Sequence, residues 1–192
     1  MRLKKPRVEP LAEHRLDDEA KSLLGEQFKD VPVYNVFRTL ARSPKAYRRF
    51  MAWGGYILSP DNDLPPRERE LVILRTGFNW RSGYEWAQHR RIGKDCGLAD
   101  EEIEAIKDGP SHSRWNNLDR ALLTATDELT SDGFVGDSTW EALAELSEKQ
   151  RMDLVMTVGQ YSQVAMMLNT FGVQLDEDLE LDPDLADPFL LD

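Results

Sequence analysis

Apolar residues recur along most of this chain at helical spacing, and no segment shows the apolar–polar alternation of a half-buried strand. No Asn-Gly or Asp-Gly turn joins two strand-like runs. The pattern predicts an all-α, single-domain helical bundle. Asp17 and Asp18 can cap a short helix to about residue 28, and a second covers 35–41. Ser43-Pro44 reads as N-cap and first helical residue of a helix to about residue 58. Gly54-Gly55 inside it costs about 2 kcal/mol relative to two alanines. Pro65-Pro66 opens the next helix to about Phe78, and 82–95 follows, stopped at Gly97. Further helices are expected over 100–107, 118–129 and from Ser138, and a long one from Ser147 to about Gly172. Ser138–Glu141 and Ser147–Gln150 both fit the capping box. Leu64, Arg69, Val72 and Gly77 are echoed 82 positions later by Leu146, Arg151, Leu154 and Gly159, which suggests two related helical hairpins.

Charge changes this picture mainly at the ends. The 192 residues carry 24 Lys or Arg against 35 Asp or Glu, a net −11 that argues against a nucleic-acid binder. Eight acidic and no basic residues fall between Asp176 and Asp192, while Arg2, Lys4, Lys5 and Arg7 make the start basic. The division expected is an N-terminal arm with one short helix (1–34), a helical domain (35–175) and an acidic tail (176–192). Both ends read as solvated arms available to a partner subunit. No run of 18 apolar residues suggests a membrane span, and Met1–Pro10 has no apolar core for a secretion signal. The lone Cys96 excludes an intramolecular disulfide and any mechanism that needs a dithiol within one chain; a cytoplasmic setting fits.

Candidate chemistry concentrates in two neighbouring helices. Ser82, Glu85, Trp86 and His89 fall at i, i+3, i+4 and i+7 and share one helix face. A carboxylate one turn from an imidazole raises its pKa and can exchange a proton with it. With Glu70 from the preceding helix, the set has the parts of an acid–base relay. The same spacing also describes an ordinary surface ion pair, worth a few tenths of a kcal/mol. As a metal site, Glu70, Glu85 and His89 make a thin ligand set.

The segment Leu64-Pro-Pro-Arg-Glu-Arg-Glu-Leu-Val-Ile-Leu-Arg75 is followed by Tyr84-Glu-Trp-Ala-Gln-His89, then Gly97-Leu98 with Glu101-Glu-Ile103, then Val158-Gly-Gln-Tyr161 with Asn169. In this order the motifs resemble the carboxymuconolactone decarboxylase family, which includes alkylhydroperoxidase D, over about 35–175. The resemblance implies the alkylhydroperoxidase D-like helical fold. In the peroxidase branch, a Glu is followed 12, 15 and 19 residues later by Cys, Cys and His. Counted from Glu70, those positions hold Ser82, Glu85 and His89. Without the cysteines, thiolate attack and resolution by a second thiol cannot run. Cys96 lies outside the motif and reads as a small buried residue.

The decarboxylase branch implies Glu at 85 and His at 89, as found. Its chemistry needs a cation for the substrate carboxylate, a donor to an enolate oxygen and an acid to protonate carbon. On this resemblance His89 serves the enolate and delivers the proton, Glu85 shuttles it and Glu70 orients His89. Arg75, Arg90 and Arg91 are candidate carboxylate anchors, Tyr84 and Trp86 candidate pocket walls, and Ser82 binds substrate or caps its helix. The expectation is a cofactor-independent lyase or isomerase acting on a small lactone or unsaturated oxo-acid. Two alternatives stand beside it: a non-catalytic helical oligomer that binds a small ligand, and an oxidoreductase without a dithiol. The family also implies a homo-oligomer of threefold symmetry, trimer or hexamer.

Overall fold

A computed structural model describes residues 1–12, 16, 18–25 and 33–186. Among these the regular elements are all helical: α1 (Asp18–Gly25), α2 (Asn35–Leu40), α3 (Pro44–Leu58), α4 (Pro66–Asn79), α5 (Gly83–Asp95), α6 (Asp100–Lys107), α7 (Asn117–Ser131), α8 (Asp137–Ala142) and α9 (Glu148–Phe171). The predicted end of α1 near residue 28, its capping Asp17 and the tail beyond 186 lie outside the described residues.

α4 is the hub. Leu71, Val72, Ile73 and Leu74 are each fully buried, four in succession, so this helix is wrapped on all sides. α5, α7 and α9 pack directly on it, and α6 flanks it. One continuous core joins Leu71, Val72 and Leu74 to Trp86, Ile103, Ile106, Leu122, Leu123 and Leu154. A smaller cluster under the N-terminal segment gathers Leu24, Ala41 and Tyr47 with Leu11, Phe37 and Met51. The segments related by the 82-residue offset open α4 and α9, which pack on each other; Ile73 is buried whereas its counterpart Val155 is exposed.

The helix ends follow local chemistry. Pro44 and Pro66 occupy first-turn positions. Ser147 and Gln150 form a reciprocal capping box at α9, whose other end stops at Gly172 in the left-handed region (φ 69°). The box expected at Ser138 does not form. α8 starts at Asp137 without a side-chain cap, because Glu128 of α7 accepts from Gly136 N (2.9 Å) and Thr139 Oγ1 (2.8 Å) instead.

The terminal arms also differ from expectation, lying against the chain's own body. Arg7 and Val8 donate backbone N–H groups to the Phe171 carbonyl, and Gln174 Nε2 reaches the Leu3 carbonyl. In the tail, Asp176 accepts from Asn35 N (2.8 Å) and Tyr84 Oη (2.5 Å), while Asp182 and Asp184 hold Lys107 at 2.8 and 2.9 Å. Carboxylates near a partly buried ammonium gain more by pairing within the chain than by remaining in water. None of the helices among the described residues is long and apolar enough to cross a membrane.

Candidate active site

The helix α5 begins after a tight reversal. Arg81 takes a left-handed conformation (φ 52°), and Ser82 N bonds to the Gly77 carbonyl at 2.8 Å, turning the chain back along α4. The two helices then approach closely at Gly77, where a Cβ would stand 2.9 Å from Glu85 Oε1. Glycine at this position makes room for the carboxyl group. Glu70 and Glu85, on the facing sides of α4 and α5, are both buried, as is His89. Glu70 Oε2 lies 2.7 Å from His89 Nδ1.

That contact sets the state of the ring. A carboxylate opposite Nδ1 accepts a hydrogen bond from Nδ1–H, leaving Nε2 as the nitrogen available to a ligand. Glu85 has neither oxygen hydrogen-bonded, and Glu70 Oε1 is also without a partner. Burial, and secondly the negative charge of Glu70, push the Glu85 pKa well above the ordinary carboxylate value. Both effects favour the protonated form of Glu85. The Tyr161 ring meets His89 edge-on at 4.8 Å between centroids, and burial together with the two carboxyl groups keeps its phenol protonated.

Glu85, His89 and Tyr161 line one cavity of about 240 Å³ between α2, α3, α5 and α9. Val36, Phe37, Phe50, Met51, Ile92 and Val164 supply apolar wall, and Gln88 and Gln160 add amides. Gly54 and Gly55 form part of the α3 side. Their helix-weakening cost thus falls on the cavity wall, where a Cβ at Gly54 would stand 3.4 Å from Gln160 Nε2 and one at Gly55 would meet nothing within 4 Å. Tyr84 also lines the cavity, its hydroxyl held by Asp176.

Other residues singled out from the sequence lie elsewhere. Arg75 is separated from Glu70 by about 140° around α4 and so faces α6 and α7. It pairs with Asp127 (2.6 and 2.9 Å) and donates to the Ile106 and Lys107 carbonyls. Trp86 belongs to the main core, against Phe78 and Lys107. Ser82 is fully buried at the start of α5; its hydroxyl makes no capping bond and has no partner. Arg90 lies on the surface beside Glu104 (3.2 Å), and Cys96 is half-buried at the end of α5. Arg91 touches the outer side of the cavity wall, donating to Tyr34 Oη and Gln88 Oε1 while paired with Asp178 at 2.7 Å. No group of three His, Cys, Asp or Glu among the described residues is arranged to hold a metal ion.

Sequence reasoning did not assign the contribution of α2, α3 and α9. The available signals were Val158-Gly-Gln-Tyr161, part of the resemblance, and the Gly54-Gly55 pair.

Residues 44–127 match the model of the carboxymuconolactone decarboxylase family. No curated protein sequence matches the chain. Solved structures share the fold. A peroxidase-related protein with an alkylhydroperoxidase AhpD core, from Ralstonia eutropha JMP134, superposes with TM-score 0.76 at 21% identity, covering 89% of this chain and 93% of that one. The debrominase Bmp8, in complex with 2,3,4-tribromopyrrole, gives TM-score 0.71 at 13% identity, with 91% and 94% covered. A protein of unknown function from Agrobacterium tumefaciens, described as an AhpD antioxidant-defence protein, gives 0.67 at 20%, with 72% and 96% covered.

Proposed function

Residues 44–127 belong to the carboxymuconolactone decarboxylase family, and from that premise we propose that the chain is a general acid–base enzyme, a lyase or isomerase that passes a small carbonyl compound through an enolate. One observation carries the reading: the Glu70–His89 bond of 2.7 Å stands beside the buried, unpartnered Glu85 at an apolar cavity.

The roles follow from protonation state. His89, with Nδ1–H held by Glu70, takes a proton from the carbon beside the carbonyl at Nε2. The C–H electron pair moves into the carbonyl oxygen, which receives the Glu85 proton. Return of a proton to another carbon completes an isomerisation; expulsion of a group from the neighbouring carbon makes the enzyme a lyase. The imidazolium formed in the first step stays beside the Glu70 carboxylate, which lowers the cost of creating it in a buried site. A neutral Glu85 suits an oxygen that is becoming negative, because a carboxylate there would repel it. Dithiol peroxidase chemistry has no counterpart in a chain with one cysteine.

Self-association is part of the proposal. From Leu154 to Phe171, α9 has no charged residue, and Met152, Val155 and Met166 are exposed along it. Such exposed apolar side chains on an uncharged stretch of helix are best covered by a second copy. A sedimentation mass of one 22.0 kDa chain overturns this part.

The acid–base reading is tested by incubating the protein in deuterium oxide with a panel of enones, lactones and oxo-acids. Deuterium uptake at carbon is followed by NMR, and carbon dioxide release is followed alongside. Uptake or turnover lost in His89→Ala supports the proposal. Uptake unchanged in that folded variant, or absent in the wild type across the panel, overturns it.

A further inference from the structure

We infer that the compound taken by this cavity is uncharged, with about ten non-hydrogen atoms, and that carboxylated rings are rejected; this deepens, and rests on, the acid–base reading above. Size comes first. A dry cavity of about 150 Å³ holds one benzene, six heavy atoms. In proportion, the about 240 Å³ here holds about ten, the scale of a substituted single ring.

Charge supplies the second argument. The lining contains no Lys or Arg. Arg75, Arg90 and Arg91 already have carboxylate partners outside the cavity. Arg69, buried on α4, donates to the Ser59 carbonyl and is not part of the wall. The acidic groups at the inner end are Glu85 and, behind His89, Glu70. A substrate carboxylate would enter an apolar space with no Lys or Arg in its wall, beside the charge of Glu70. An unpaired buried anion is among the most costly arrangements a protein can hold. A neutral carbonyl escapes that cost beside Glu85, whose pKa burial raises.

Gln160 adds no handle, because its unpartnered amide oxygen is shielded and the residue lies between this cavity and the one bounded by Trp53 and Phe171. The compound is thus a neutral cyclic enone or lactone, and the reaction is proton relocation without loss of a carboxylate.

The test uses matched pairs: cyclic enones and unsaturated lactones of six to fourteen heavy atoms, each beside the same ring carrying one carboxylate. Binding to the full chain is measured by calorimetry at pH 7, and deuterium uptake is scored separately. The neutral member of each pair is expected to bind at least tenfold tighter, with the optimum near ten heavy atoms. Gly54→Leu, introducing bulk toward Gln160, should abolish binding with the helical circular dichroism unchanged. Equal or tighter binding of the carboxylated members overturns the inference, and loss of that binding in Arg91→Ala would then identify the anchor. Binding of neither class also overturns it. Neutral compounds that bind without deuterium uptake leave the charge preference standing and sink the acid–base reading. Uptake confined to carboxylated compounds does the reverse.

Discussion

The charged groups of α4 meet two different environments. On the side turned to α6 and α7, Arg67 bonds Asp119 (2.8 and 3.1 Å) and Glu102 (2.6 Å), and Arg75 bonds Asp127 and two carbonyls. On the side turned to α5, Glu70 has one bond, to His89, and Glu85 opposite it has none. The first arrangement is saturated and fastens three helices together. The second leaves buried oxygens unpaired beside a cavity, which opposes folding and raises the pKa of Glu85. Polar groups that lower stability where they stand are the ones to examine for chemistry.

Variants on the two sides should therefore fail differently. The largest effect is expected from His89→Ala, with proton exchange reduced about 10²–10⁴-fold, as for loss of a general base, and helicity retained. Exchange within threefold of wild type would erase the distinction between the sides. Arg75→Ala should do the opposite. It leaves the partly buried Asp127 with Asn79 Nδ2 (2.7 Å) as its remaining side-chain donor, so unfolding in urea should show a loss of about 2 kcal/mol, with the exchange rate per folded molecule unchanged.

Glu85→Gln sharpens the contrast because it should lower activity and raise stability together. Between pH 4.5, the ordinary carboxylate value, and the raised folded value, the unfolded chain has released this proton and the native chain has kept it. Native stability thus falls as pH rises through that window. The variant lacks that slope, so its melting temperature should gain on the wild type from pH 5 to pH 8, while kcat drops and binding of neutral ligand persists. A parallel pH dependence in both proteins would mean Glu85 is ionised in the native state.

Gly55→Ala is the mildest change. Nothing lies within 4 Å of a Cβ at Gly55, so the helix-propensity gain of about 1 kcal/mol should appear without loss of ligand affinity.

Much of the helix order was legible in the sequence because its signals are local. Pro44, Pro66, the Ser147–Gln150 box and Gly172 act through bonds within a few residues, and each marks a helix end in the structure. Glu70, Glu85 and His89 were legible as candidates through helical spacing and the family motif. Arg75 was misjudged because spacing records distance along the helix, while a partner on α7, Asp127, decides where a guanidinium resides. Cys96 was expected to be buried but lies half-exposed where α5 ends.

By itself, then, the sequence determined an all-helical chain with three acid–base residues on neighbouring helices and no dithiol. Only the tertiary structure decided that α2, α3 and α9 close an apolar cavity over them, that no Lys or Arg enters its wall, and that the described parts of both arms fold back onto the body. Helix formation depends on neighbours a turn away. A cavity and its electrostatics depend on groups more than a hundred residues apart, such as Phe37 and Tyr161, which come together only when the core packs.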